Sequence, residues 1–82
     1  FMPSTVIRRF AWRALSADGP QALDVEFVTG RIYRYLAVPE EEAQAMRAAF
    51  SKGVYFNRHI RDRYKHRRLR SWPDEGHGAS SA

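Results

Sequence analysis

The run from Ala22 to Leu36, ALDVEFVTGRIYRYL, constrains the fold more than any other stretch of the sequence. Leu23, Val25 and Phe27 alternate with Asp24 and Glu26, and Tyr33 and Tyr35 flank Arg34. Side chains of a strand point alternately to opposite faces, so this pattern predicts two half-buried strands joined near Thr29-Gly30. Loop parity then decides which face each residue takes, because a slip of one residue turns every side chain over. A two-residue Thr29-Gly30 loop would pair Glu26 with Tyr33, Asp24 with Tyr35 and Val25 with Arg34, mixing carboxylates with rings. A Val28-Thr29-Gly30 loop, a type I turn closed by a left-handed glycine, pairs Val25 with Tyr33, Leu23 with Tyr35 and Asp24 with Arg34. The odd loop collects Leu23, Val25, Phe27, Tyr33 and Tyr35 on one face and sets opposite charges across the strands, so pattern and charge agree. Tyr33 and Tyr35 then read mainly as core residues with hydroxyls at the rim; an exposed platform for base stacking is the alternative. The other face carries Val28, Ile32 and Leu36 beside Arg34, Asp24 and Glu26. It is apolar enough to expect partial cover by a second copy, the tail or a ligand.

The flanking segments extend this hairpin. TVIRRFAWR, residues 5–13, reads as a strand with Val6, Arg8, Phe10 and Trp12 on one face and Ile7, Arg9, Ala11 and Arg13 on the other. Asp18-Gly19-Pro20 supplies a turn before the hairpin. A helix is expected from Val38-Pro39, with proline in its first turn and Glu40, Glu41 and Glu42 complementing the dipole. Ala43, Met46, Ala49 and Phe50 make its buried stripe, and Gly53 ends it in the left-handed conformation. A second helix is expected over VYFNRHIRDRYKHRRL, residues 54–69, docked by Phe56, Ile60 and Tyr64 with its arginines outside. The expected architecture is an α+β domain over residues 4–70, an antiparallel three-stranded meander followed by two short helices, and a flexible tail over 71–82.

Charge sets the functional question. The chain of 82 residues carries a net charge of +5, and the excess concentrates in Lys52, Arg58, Arg61, Arg63, Lys65, Arg67, Arg68 and Arg70, with Asp62 the sole carboxylate among residues 52–70. Such a field attracts polyanions, nucleic acid first and an acidic protein surface second. A solvated helix face is the plainer alternative. Phosphate contacts are expected from Lys52, Arg58, Arg61, Lys65, Arg67, Arg68 and Arg70, with Asn57 as a polar reader and Tyr33, Tyr35, Tyr55 and Tyr64 as candidate stacking rings.

Other chemistries find little support. The sequence has no cysteine, which excludes disulfides, thiolate metal sites and a cysteine nucleophile. His59, Asp62 and His66 would share a helix face but span too far for one compact metal site, so no metal is expected. No glycine-rich phosphate loop appears, and Ser4, Ser16 and Ser51 have no evident base with an orienting acid. Neither a cofactor nor enzymatic activity is expected, and a pocket of ~300 Å³ is hard to carve from so small a core. No apolar run approaches the ~18 residues of a membrane span, and no signal-type segment opens the sequence, so a cytoplasmic setting is expected. Met2 reads as the natural start.

Phe27, Gly30, Tyr33, Tyr35, Val38-Pro39, Ser51-Lys52-Gly53, Tyr55, Phe56, Asn57, Ile60, Arg61 and Tyr64 together resemble the KTSC domain. That module sits at the C-terminus of some lysyl-tRNA synthetases and also stands alone in bacteria and phages. The tyrosine–any–tyrosine signature is its hallmark. Ala11-Trp12-Arg13 departs from the family's Gly-Tyr-Asp-like triplet: Trp12 can fill the aromatic's place, but the glycine and the acid are missing, so no function of that first turn is carried over. The family has no established activity; what the resemblance implies is RNA as the suggested partner, drawn mainly from its fusion to a tRNA-handling enzyme. The rival class is a protein–protein adaptor that docks on an acidic surface or self-associates through an edge strand.

Overall fold

In the computed structural model, which describes residues 6–15 and 21–73, the central hairpin has the odd loop. Strands β2 (Gln21–Phe27) and β3 (Ile32–Leu36) pair Leu23 with Tyr35, Asp24 with Arg34 and Val25 with Tyr33. The Phe27 N–H donates to the Arg31 carbonyl at 2.9 Å, and Gly30 takes φ 96°, where a side chain would be strained. Leu23, Val25 and Tyr35 are buried on one face, as the alternation requires.

Strand β1 (Ile7–Ala14) pairs antiparallel with β2, and an irregularity between Ile7 and Arg9 changes its parity. Beyond the irregularity Phe10 and Trp12 face the core. Before it, Ile7 does so too, opposite Phe27, while Val6 is exposed. A uniform alternation puts Ile7 on the wrong side; one extra residue in the strand corrects it. Trp12 fills the aromatic place in the departing triplet: its indole N–H donates to the Val38 carbonyl at 2.8 Å and ties β1 to the start of the first helix.

Helix α1 (Glu40–Ala48) begins one residue later than expected. Pro39 is its extended N-cap, and the Pro39 carbonyl accepts from the Glu42 and Ala43 N–H groups. Ala43 and Met46 are buried, but the helix stops before completing the expected stripe. Ala49 is extended and Phe50 is fully exposed. Gly53 does not terminate this helix. It lies inside a second short one, α2 (Lys52–Tyr55), started by Ser51, whose hydroxyl accepts from the Val54 N–H at 3.2 Å. The chain runs from α2 into a π-helical turn, Phe56–Ile60, closed by the Arg61 N–H on the Phe56 carbonyl at 2.9 Å. Phe56 and Ile60 close the core that Ala49 and Phe50 were expected to close.

The largest departure follows. The single basic helix expected over 54–69 ends at Ile60, and His66–Leu69 form a fourth strand, β4, antiparallel to β3. The sheet order is β1-β2-β3-β4, so the architecture is α+β with four strands, not three. Two physical facts favour the strand. Past Tyr64 the helical pattern offers Lys65, His66, Arg67 and Arg68 and no apolar anchor. The open edge of β3, in contrast, offers unpaired backbone groups and the rings of Tyr33 and Tyr35. His66 takes that place, tilted on Tyr35 with centroids 4.9 Å apart.

Part of the outer face of the sheet is covered by the chain itself. Leu69 lies opposite Ile32, and the Trp72 ring sits 4.3 Å from the Arg9 guanidinium carbon and 5.6 Å from that of Arg13. Trp72 thus packs against the sheet, beyond the expected boundary at residue 70. The rest of the expected tail, 74–82, lies outside the described residues. Beneath Trp72 lies a buried charge cluster. Asp24 is fully buried and accepts from Arg13 Nε at 2.6 Å, Arg34 Nε at 2.8 Å and Arg34 Nη2 at 3.0 Å. The bond to Asp24 raises the Arg34 pKa further above its ordinary value. The hairpin register predicts the Arg34 contact; Arg13 is a second partner, brought in diagonally from β1.

Among the described residues, no helix is long and apolar enough to cross a membrane.

Candidate nucleic-acid interface

Breaking the basic segment into a π-turn and an edge strand redistributes its cations. Along β4 the side chains alternate. Arg67 stands opposite Arg34 on the outer face, and His66 and Arg68 stand opposite Tyr35 and Tyr33 on the helix-bearing face. Arg61 follows the π-turn, and Arg58, Arg61, Arg63, Lys65, Arg67, Arg68 and Arg70 are all exposed. They no longer share one helix face: Arg67 and Arg68 stand on β4, Arg61 borders a groove beside Tyr33, and Arg63 lies 4.0 Å from the Glu42 carboxylate of α1.

Lys52 and Asn57 are engaged otherwise. Lys52 Nζ donates to the Ala49 carbonyl at 2.8 Å and closes the break between α1 and α2. Asn57 Oδ1 accepts from Arg61 Nη1 at 3.3 Å, which makes it a support for Arg61.

The four tyrosines separate into three roles. Tyr35 is core: it is 4% exposed and meets Phe56 edge to face at 5.2 Å. Burial pushes its pKa up to about 12, with Tyr33 adding to the shift, Arg61 opposing it and Asp62 adding the last part. Tyr33 is half-buried. Its ring contacts are T-shaped, to Phe27 at 6.0 Å and to His66 at 5.4 Å. Tyr55 and Tyr64 both donate their hydroxyls to the Glu42 carboxylate, Tyr64 at 2.9 Å. Glu42 therefore does more than complement the helix dipole: it clamps α1 to the segment beyond it. Tyr55 also carries His59, with centroids 4.3 Å apart.

The Glu42 clamp makes the fold sensitive to alkali. Burial, then the hydrogen bond to Glu42, pushes the Tyr55 pKa up to about 12, and Tyr64 is raised by the same causes. A phenol whose folded pKa exceeds its unfolded value of about 10 holds a proton that the unfolded chain releases. Its stabilising contribution is complete below pH 10 and is lost as the pH rises toward about 12. The denaturation midpoint should fall across that window, and Tyr55→Phe/Tyr64→Phe should fall less steeply. An equal slope in the double variant would remove the clamp as the cause.

Tyr33 forms one wall of an open groove of about 440 Å³ on the helix-bearing face, at the turn end of the hairpin. Phe27, Phe56 and Tyr35 also line it, with His66 against the Tyr33 ring, and Arg31, Arg61 and Asp62 contribute its charged groups. A concavity of this size was not expected in so small a core. It forms at the sheet edge, where the chain leaves the π-turn and crosses to β4, and not within the core. Arg31 was missed in the sequence because it stands alone, outside the basic run; its place two residues before Tyr33, on the same face of an extended strand, was the signal that could have found it. The histidine pair considered as a metal face is split, His59 on the π-turn and His66 on β4. Among the described residues, no three potential metal ligands converge.

A four-stranded antiparallel sheet backed by short helices defines a small α+β domain. The chain belongs to the KTSC domain family, whose model matches residues 3–64. It is 42% identical over 57 residues to an uncharacterised protein of Stutzerimonas stutzeri, covering 68% of this chain and 80% of that protein. It is also 32% identical over 65 residues to a lysine–tRNA ligase of Nostoc punctiforme, covering 79% of this chain and 11% of the ligase. The match to the family ends at residue 64, so β4 and Trp72 lie beyond it.

Proposed function

We propose that this domain is a cytoplasmic, non-enzymatic module that binds RNA along its β3–β4 edge. The observation that carries the reading is the run of exposed cations between Arg58 and Arg70, of which Arg61 borders a groove lined by tyrosine and histidine. Phosphates of a single strand would lie on Arg61, Lys65, Arg67, Arg68 and Arg70, and the groove would lie beneath the strand. Similarity to a segment of an enzyme whose name gives tRNA as its substrate supports the same class of partner. The alternation of Arg67 and Arg68 between faces suits a flexible single strand that wraps an edge better than a rigid duplex.

The test is affinity for tRNA and for a random single strand across salt concentrations, for the wild type and for Arg67→Ala/Arg68→Ala/Arg70→Ala. Each lost phosphate contact should lower the log–log salt slope by roughly 0.7–0.9, so the triple variant should lose about two units or more. No binding near physiological salt, or an unchanged slope, would refute the reading. A second reading rests on β4 being a terminal strand of the sheet among the described residues, an edge on which an acidic protein could add a strand. That partner would survive nuclease treatment and ignore added RNA.

A further inference from the structure

We infer that the groove beside Tyr33 takes a single unstacked nucleobase of the bound strand and favours bases with an exocyclic amine, cytosine over uracil. The inference rests on the RNA reading above and adds a base-reading site to it. The volume of about 440 Å³ lies within the ~300–1,000 Å³ range of ligand sites and admits one base with part of its sugar. Its walls are aromatic. Tyr33 touches Phe27 and His66 only in T-shaped contacts and has no parallel stacking partner among the described residues. A base entering the groove supplies that contact.

The rim explains the preference. Arg31 and Arg61 are exposed on the groove border, where they can take the phosphates on either side of the inserted base. Asp62 is out of place in a surface that only binds phosphate, since it is the single carboxylate among residues 52–70 and repels the backbone. It has no ion-pair partner among the described residues, although arginines adjoin it in sequence. A carboxylate at a base-binding groove accepts from an amino edge such as cytosine N4, and it faces an unfavourable carbonyl at uracil O4. Groove aromatics, flanking cations and one bordering acceptor together make a site for a base and not for a bare phosphate.

The experiment compares oligocytidylate with oligouridylate of equal length at fixed salt. The two differ at the pyrimidine 4-position, amine against carbonyl, and share the backbone. Wild type should bind oligocytidylate about fivefold or more tighter, and Asp62→Asn, whose amide can donate as well as accept, should bring the ratio close to one. Tyr33→Leu should weaken both by about tenfold or more while the melting temperature holds. If Tyr33→Leu fails to fold, the ratio in Asp62→Asn, a change at an exposed residue, decides alone. Equal affinities in the wild type, or a ratio untouched by Asp62→Asn, would overturn the base site while salt-dependent RNA binding remained. Loss of all oligonucleotide binding in the wild type would remove both readings together.

Discussion

Asp24→Ala is expected to cost about 3–5 kcal/mol, because it removes the fully buried carboxylate that the Arg13 and Arg34 guanidiniums share. The Arg13 and Arg34 side chains are each 15% exposed, so neither can regain full hydration without tearing the outer face. A domain of this length has about 4–12 kcal/mol in total, and the variant should be largely or partly unfolded at room temperature. Denaturant titration with fluorescence of Trp12 and Trp72 would measure the loss. Two comparisons isolate the cause. Glu26→Ala removes the partner of Arg9, whose side chain is 50% exposed, and should cost no more than about 1 kcal/mol. Arg13→Met/Asp24→Leu/Arg34→Met replaces the whole cluster by apolar groups and should recover most of the stability, since the cost lies in the orphaned charges and not in the absence of the pair. An Asp24→Ala penalty below 1 kcal/mol would mean that the arginines find water or other partners.

The elements that were legible in the sequence are those fixed by short-range rules. The parity of Val28-Thr29-Gly30 followed from charge and apolar alternation within fifteen residues, and it placed Tyr33, Tyr35, Asp24 and Arg34 correctly. The start of α1 followed from Pro39 and the acidic triplet to within one residue. What was not legible depends on partners distant in sequence. The strand character of His66–Leu69 is not written in four residues without apolar alternation; it comes from the vacant edge of β3. The change of face at Ile7 needed an irregularity that no local signal marks. Phe50 looks like a core residue by spacing, yet the core was closed by Phe56 and Ile60 from the next segment. The site suffered in the same way. The basic residues were visible as a list, but their arrangement around a groove required the strand pairing that a helical reading excluded.

Tyr35→Ala and Tyr33→Leu, taken together, should separate scaffold from binding surface within a single two-residue repeat. Tyr35 is 4% exposed and supports both Phe56 and His66 through its ring. Truncating a buried aromatic side chain leaves a cavity and costs about 3–5 kcal/mol, a large share of what this domain has. The same change removes the ring on which His66 lies, so β4 should loosen first, with its amide protons losing protection before those of β1 and β2. Tyr33→Leu keeps apolar bulk at a half-buried position with only edge contacts, and should cost about 1 kcal/mol or less in stability. Its effect belongs to binding. The contrast is informative because both tyrosines share one face of β3 and both meet His66, while the Phe56 ring packs on Tyr35. A Tyr35→Ala protein that keeps its melting temperature and loses RNA would reverse the assignment. It would make the buried ring the contact surface, and β4 a lid that moves aside to expose it.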